Sequence, residues 1–163
     1  MVRRAIPMIA LVVALVAARE ARADDCLTYR TAARCRPPKR VGVGLAVFAP
    51  GGVTLEGVVT RKVRLDLAGG RDKFLDQRLT AHGAVTYSLI IPNIGTLLLP
   101  VYVGVGGGWI DQAGAVIRLP FGLRGETAVQ SFQMYFEGAV RIPTGGDDRL
   151  GAEGAIGFRY FLL

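Results

Sequence analysis

The sequence predicts an all-β protein folded as a closed antiparallel up-and-down β-barrel of eight strands with a side-chain-filled interior. Several long segments alternate apolar and polar residues with a period of two, which is the pattern of strands with two different faces. The chain is 51% apolar and contains 22 glycines, yet after residue 23 no apolar segment reaches the length of a membrane-spanning helix. High apolar content in alternating, glycine-rich segments favours a β-barrel and is typical of barrels in membranes.

The alternation is clearest in residues 114–163, which predict three consecutive strands. One face of each strand is apolar, as in Ile117, Leu119 and Phe121 of the first. The opposite faces carry charged side chains, namely Arg118, Arg124 and Glu126, then Glu137 and Arg141, then Glu153 and Arg159. Charges in the middle of long strands need a polar environment. The interior of a small barrel whose apolar residues face lipid supplies one.

Five further strands are predicted by the same alternation and by the glycine and proline residues that interrupt it. They cover residues 41–48, 53–59, 63–67, 79–89 and 97–109, with a polar loop at 69–73 and a break at 92–95. If Arg61-Lys62 is a tight turn, the chain has eight strands; if these residues lie inside one long strand, it has seven. An even number places both termini on the periplasmic side of an antiparallel barrel.

Residues 1–23 have the features of a secretory signal peptide. Arg3 and Arg4 precede an apolar segment over residues 5–18, and Ala21-Arg22-Ala23 is a typical cleavage site. Residues 24–40 form a lead-in that contains Cys26 and Cys35, which we expect to form a disulfide in an oxidising periplasm. The predicted barrel comprises residues 41–163.

The charge of the predicted mature chain does not indicate a nucleic-acid partner. Four of the 20 basic and one of the 13 acidic residues lie in residues 1–23, which leaves 16 basic and 12 acidic side chains, a net charge of +4. Much of the excess lies in the lead-in, where no aromatic residues are interleaved with the basic ones in the pattern of a binding surface. We therefore expect no nucleic-acid binding.

Ten charged residues are assigned to the barrel interior, and their charges balance. Buried charges are tolerated when they are paired and hydrogen-bonded, and the interior of eight strands is narrow. We therefore favour a salt-bridge network that fills the interior over the alternative, an ion or substrate path. The network consists of Glu56, Arg64, Asp66, Arg118, Arg124, Glu126, Glu137, Arg141, Glu153 and Arg159.

Four segments in the C-terminal part resemble a known family. They are Leu99-Pro100-Val101-Tyr102-Val103-Gly104-Val105-Gly106-Gly107, Ile117-Arg118-Leu119-Pro120-Phe121-Gly122-Leu123, Phe136-Glu137 and Gly154-Ala155-Ile156-Gly157-Phe158-Arg159-Tyr160-Phe161. They are similar to strands of small outer-membrane barrel proteins of Gram-negative bacteria, of the OmpA-like barrel type. The resemblance is loose over residues 41–163 and good over 97–163. It implies an eight-stranded barrel with no assigned activity.

The residues give no support for catalysis, and we expect no cofactor. No metal-ligand spacing is present. His82, the single histidine, has no serine two residues on, the spacing of lipid A deacylase barrels, which use Ser, His and an acid. We expect a structural histidine, although contact with Ser88 or with an acid from another strand stays open.

Together these features predict a monomeric, non-enzymatic integral outer-membrane protein with a structural, adhesive or envelope role. Its expected partners are outer-membrane lipid and the barrel-insertion machinery. Trp109 and Tyr160, near strand ends, fit an aromatic girdle at the membrane interface. The alternative is a soluble periplasmic, lipocalin-like barrel in which the apolar faces line a cavity for a small apolar ligand. A lipid A acyl hydrolase-type barrel acting through His82 is a third hypothesis.

Overall fold

The computed structural model describes residues 41–48, 51–60, 62–72, 78–112, 114–127, 131–145 and 150–162. These residues contain ten β-strands. The strands are β1 (Val41–Phe48), β2 (Gly51–Val58), β3 (Val63–Asp72), β4 (Arg78–Ile90), β5 (Asn93–Ile94), β6 (Leu97–Leu98), β7 (Val101–Ile110), β8 (Gly114–Thr127), β9 (Phe132–Pro143) and β10 (Gly151–Phe161). Among these residues there is no helix long and apolar enough to cross a membrane. The predicted signal peptide, the lead-in and the Cys26–Cys35 disulfide lie outside the described residues.

Eight strands form a closed antiparallel ring, which confirms the predicted fold class. Each ring strand pairs with the next one along the chain, with β7 following β4, so the topology is up-and-down. The ring closes where β1 pairs with β10, from Gly42 opposite Phe161 to Phe48 opposite Ala155. Closure pairs every ring strand on both sides, which removes the exposed sheet edges that invite aggregation.

The two ends of the barrel are distinguished by the chain termini. The terminal end contains the start of β1, the β2–β3 turn, the β4–β7 connection, the β8–β9 connection and the end of β10. The distal end contains the β1–β2, β3–β4, β7–β8 and β9–β10 connections. Because the number of ring strands is even, β1 begins and β10 finishes at the same end.

The β2–β3 turn settles the strand count at eight. The backbone N–H groups of Val59 and Thr60 donate to the carbonyl of Val63. The Thr60 hydroxyl accepts from the backbone N–H groups of Lys62, at 3.2 Å, and Val63, at 3.0 Å. Such a side-chain oxygen replaces the partners that the backbone loses in a tight turn. Lys62 therefore lies in a turn, which is one of the two alternatives that the sequence left open, while Arg61 is outside the described residues.

The prediction of a polar loop at residues 69–73 is wrong for 69–72, which belong to β3. Gly70 lies opposite Gly52 of β2 and Thr80 of β4. A Cβ atom added at Gly70 would lie 2.2 Å from the carbonyl oxygen of Gly51. The glycines therefore permit a close approach of two strands instead of a turn.

The predicted single strand over residues 97–109 is interrupted. It divides into β6 and β7 at Leu99 and Pro100, since proline has no N–H to donate to a neighbouring strand. The predicted break at 92–95 is part of a small hairpin, in which β5 pairs with β6 and β6 with the end of β8. This hairpin lies outside the ring.

The ring strands have an apolar outer face and a polar inner face. On β3, for example, Leu65 and Leu67 are about half exposed while Arg64 and Asp66 are buried. Within the described strands, the charged side chain exposed on the outer face is Arg71, one residue before the end of β3. The barrel interior is therefore the place where the charged side chains meet.

Candidate functional site

The most distinctive site in the described residues is the interior charge network, the ten charged side chains predicted for the barrel interior. Each lies at an inward-facing strand position because charged residues alternate with lipophilic ones along β2, β3, β8, β9 and β10. The network divides into a central cluster around Glu56 and a distal cluster around Glu153.

Glu56 on β2 is the centre of the first cluster. Its side chain is 1% exposed and contacts three guanidinium groups. Arg64 Nη1 lies 2.5 Å from Oε1, Arg124 Nε lies 3.5 Å from Oε2, and Arg159 Nη1 donates to Oε2. The amide of Gln133 adds a hydrogen bond of 3.3 Å to Oε1. One carboxylate therefore accepts hydrogen bonds from β3, β9 and β10 and forms an ion pair with β8.

Asp66 on β3 is the second acid of the central cluster. Its Oδ2 accepts from Arg124 Nη2 at 2.7 Å and from the Thr86 hydroxyl at 2.9 Å. Its Oδ1 lies 2.9 Å from Arg159 Nη1. Glu56 and Asp66 are cross-strand neighbours, and like charges placed opposite each other repel. The shared arginines Arg124 and Arg159 offset that repulsion.

Aromatic rings and a third acid complete the central cluster. The Arg124 guanidinium lies 3.7 Å from the centre of the Tyr102 ring, and that of Arg159 lies 4.2 Å from the centre of the Tyr135 ring. Such cation–π contacts stabilise desolvated cations. Arg64 Nη2 also lies 2.6 Å from Glu126 Oε1.

The distal cluster also contains two like charges on neighbouring strands, but here both are positive. Arg118 and Arg141 are cross-strand neighbours on β8 and β9. Glu153 lies between them, accepting from Arg118 Nε through Oε1 and lying 3.3 Å from Arg141 Nε through Oε2. Glu137 Oε1 accepts from Arg118 Nη2 at 2.7 Å. The Tyr102 hydroxyl donates to Glu137 Oε2 at 2.7 Å, and thus joins the two clusters.

The network has the properties expected of side chains that fill and close the barrel interior. Its ten side chains carry five positive and five negative formal charges. The acids and guanidinium groups are paired at short distances, and Arg124 and Gln133 are fully buried. A buried charge that is paired and hydrogen-bonded is tolerated, whereas an isolated one is not. The arrangement therefore neutralises and fills the interior.

His82 lies on the inner face of β4 in the distal half of the barrel. It lines a cavity of about 10 Å³ together with Thr80, Gly108, Arg118 and Glu153. Ser88 is on the same strand six residues further on, so about 20 Å separates the two positions along the extended chain. The strand therefore holds His82 and Ser88 too far apart for direct contact.

No metal site is found in the part of the chain that the structure describes. No group of three or more His, Cys, Asp or Glu side chains there could hold a metal ion. The carboxylates that face the interior are instead bound to arginine.

Several polar residues of the interior were not predicted as members of the network. Five of them contact charged side chains through a ring or a hydrogen bond, namely Tyr102, Tyr135, Gln133, Thr54 and Thr86. Their inward positions on the alternating strands are the signal that could have identified them. Tyr102 is the clearest case, since it lies in a segment that is otherwise apolar.

The outer face forms the second notable surface. Its exposed side chains include Val43, Leu45, Leu55, Leu67, Val103, Leu119, Phe121, Met134, Phe136, Ile156 and Phe158. Aromatic residues mark both ends of this surface. Trp109 lies near the distal end, and Tyr87 and Tyr160 lie near the terminal end. At the terminal end, Lys62 Nζ donates to the Tyr87 hydroxyl at 3.4 Å.

Comparisons with protein-family models, with curated proteins and with solved structures find no match to this chain.

Proposed function

We propose that this protein is a non-enzymatic, integral outer-membrane β-barrel with a structural role in the cell envelope. The observation that carries the proposal is the distribution of side chains over the two faces of the ring. The outer face is apolar, and the inner face holds a charge-balanced network. Contiguous apolar surfaces of this kind are rare on soluble monomers, and transmembrane barrels place apolar residues towards lipid.

The strand lengths support the same proposal. The ring strands contain 8 to 14 residues, and about 9–11 tilted residues cross a bilayer. In lipid every backbone N–H and C=O group needs a partner within the protein, which a closed ring provides. Eight strands enclose an interior that side chains fill, so we expect a sealed barrel instead of an open pore.

The location follows from the same reasoning. Barrels that cross membranes belong to outer-membrane-type envelopes, and the predicted signal peptide would supply export. The partners in this proposal are outer-membrane lipid and the machinery that inserts barrels. The connections at the distal end, residues 49–50, 73–77, 111–113 and 144–150, contain two to seven residues, and such short connections favour a structural role over an adhesive one.

The lipocalin-like alternative requires the opposite arrangement of side chains. A cavity for an apolar ligand would need the apolar residues inside, whereas here Leu67 faces out and Asp66 faces in. The acyl hydrolase hypothesis requires a nucleophile near His82, and Ser88 is six residues away on the same strand. Neither hypothesis is favoured by a specific observation.

The test is membrane fractionation followed by gel electrophoresis of heated and unheated samples. We expect the protein in the outer-membrane fraction, with a mobility that changes on boiling because a closed barrel resists detergent until heated. A tagged soluble periplasmic protein and a known outer-membrane barrel from the same cells serve as controls. A protein found entirely in the soluble fraction, with no heat-dependent shift, contradicts the proposal.

A further inference from the structure

The β4–β7 connection extends the barrel beyond the ring at its terminal end. We call residues 89–99 the terminal hairpin; it contains the last two residues of ring strand β4 together with β5 and β6, which lie outside the ring. The pairing of β3 with β4 ends at Val63 and Tyr87. The register between β4 and β7 then shifts between Ser88 and Ile90. From there β5 pairs with β6 on one side only. Within the described residues, one edge of the terminal hairpin is therefore not paired with another strand.

The terminal hairpin is apolar and exposed. Ile94 is 66% exposed, and Leu89, Ile90, Ile91 and Leu97 are also exposed. From residue 79 to residue 110 the sequence contains no Asp, Glu, Lys or Arg. The polar side chains of its tip are Asn93 and Thr96, which flank the turn at Gly95 (φ 64°). A loop adapted to water would carry charges, as the β2–β3 turn does with Lys62.

The surface of the terminal hairpin is continuous with the outer face of the ring. The same strands, β4 and β7, that present Leu79 and Val103 outward continue into it. The lipid that surrounds the outer face of the ring in the proposed function therefore also surrounds the hairpin. Because backbone groups at a free edge are costly in hydrocarbon, the edge belongs at the level of the head groups, where water is present. The Lys62–Tyr87 pair lies at the neighbouring turn and is typical of that level.

We propose that the terminal hairpin inserts into the membrane interface at the terminal end of the barrel, with Ile90, Ile94 and Leu97 in contact with lipid. It anchors the barrel to the membrane on one side of the ring, next to β4 and β7. Apolar side chains of interfacial segments reach the boundary between head groups and acyl chains in this way. This inference rests on the proposed function, since it requires the ring to be in a bilayer.

The experiment measures the depth of single tryptophans in vesicles of phosphatidylcholine and phosphatidylglycerol. Trp109 is the single tryptophan of the chain, so Trp109→Phe gives a background without one. Three variants in that background carry Ile94→Trp in the terminal hairpin, Leu67→Trp in the outer face, or Thr144→Trp near the distal end. All three positions are exposed, so each variant is expected to fold. Nitroxide lipids, labelled near the head group or deep in the acyl chain, and aqueous iodide serve as quenchers.

We expect the tryptophan at position 94 to be quenched by the shallow lipid label and to show a several-fold lower iodide quenching constant than the one at 144. The tryptophan at position 67 should be quenched by the deep label. If position 67 is quenched by lipid while position 94 is quenched only by iodide, the hairpin is in water. The inference is then overturned and the proposed function stands. If position 67 is quenched by iodide and not by lipid, both are overturned.

Discussion

Three of the five arginines of the interior charge network form ion pairs with one residue, Glu56. Its carboxylate contacts Arg64, Arg124 and Arg159 and is 1% exposed. Removing one member of a buried ionic cluster leaves charges without compensation, and the cost is larger than the gain that the pair once gave. The stability of the barrel should therefore depend more strongly on Glu56 than on an acid at the margin of the cluster.

Glu56→Gln should lower the free energy of unfolding by about 3–5 kcal/mol, because three buried guanidinium groups lose a shared carboxylate. Glu126→Gln is the matched control. Glu126 contacts Arg64 and Gln133 and is 8% exposed, so its loss should be about 1–3 kcal/mol. Urea unfolding of both variants in lipid vesicles, followed by the fluorescence of Trp109, measures the difference. Equal losses in the two variants would contradict the central role of Glu56.

At this scale, alternation along the strands allowed the charged members of the network to be predicted, but not their partners. Strand geometry assigns Arg124 to the interior whatever its neighbours are. It does not reveal that Tyr102 packs against Arg124 and donates to Glu137. An aromatic residue fits either face of a membrane barrel, and the pairing depends on the register of strands that are far apart in sequence.

At the scale of single elements, β10 shows how the two faces tolerate different residues. Gly157 faces inward, and a Cβ atom added there would lie 2.4 Å from the Tyr135 hydroxyl and 2.6 Å from the carbonyl oxygen of Leu45. Gly154 lies three residues away and faces outward, where the nearest atom to an added Cβ is the carbonyl oxygen of Glu137 at 3.8 Å. At Gly157 the inner face has no room for a methyl group, whereas at Gly154 the outer face has.

Gly157→Ala should therefore destabilise the barrel by about 1–3 kcal/mol, because Tyr135 or the backbone of β1 must move. Gly154→Ala on the same strand should change stability by less than about 0.5 kcal/mol. The midpoint of urea unfolding in vesicles measures both effects. A larger loss for Gly154→Ala than for Gly157→Ala would contradict the assignment of the two faces.

The sequence predicted the existence of the ring strands better than their ends. Alternation identified β8, β9 and β10 almost completely, since each combines an apolar face with charges. It failed at Gly69 and Gly70, where glycine serves close packing of strands instead of a turn. It also failed for β5, which lies in the predicted break at 92–95, and it did not separate β6 from β7. The pairing of β6 with β8 joins residues about 30 positions apart in the chain, so no local pattern indicates it.

At the scale of the whole molecule, the barrel has its apolar side chains on the outside and its charged side chains in the interior, the reverse of a soluble protein. Leu67 is 54% exposed near the middle of β3, and Leu79 is 56% exposed at the distal start of β4. In water these two leucines would be equivalent. In a bilayer they lie at different depths, and the cost of a charge depends on depth.

Leu67→Arg should cost about 2–4 kcal/mol of stability in vesicles, whereas Leu79→Arg should cost about 0–1 kcal/mol, since the latter lies near the interface. Unfolding in urea and the fraction of heat-modifiable protein recovered from membranes both measure this difference. A soluble barrel would accept arginine at both sites, so two small and equal effects would argue against a bilayer location.

The pairing of β1 with β10 also determines how such a chain can fold. Arg159 lies 103 residues after its partner Glu56, so the central cluster is completed only when the last strand arrives. Folds with distant contacts of this kind form slowly, because the entropy of closing the chain is lost before the contacts are gained. Until closure, β1 and β9 would present open edges and Glu56 would lack one of its cations, and such intermediates aggregate readily. No stable partial barrel is therefore expected before β10 pairs with β1.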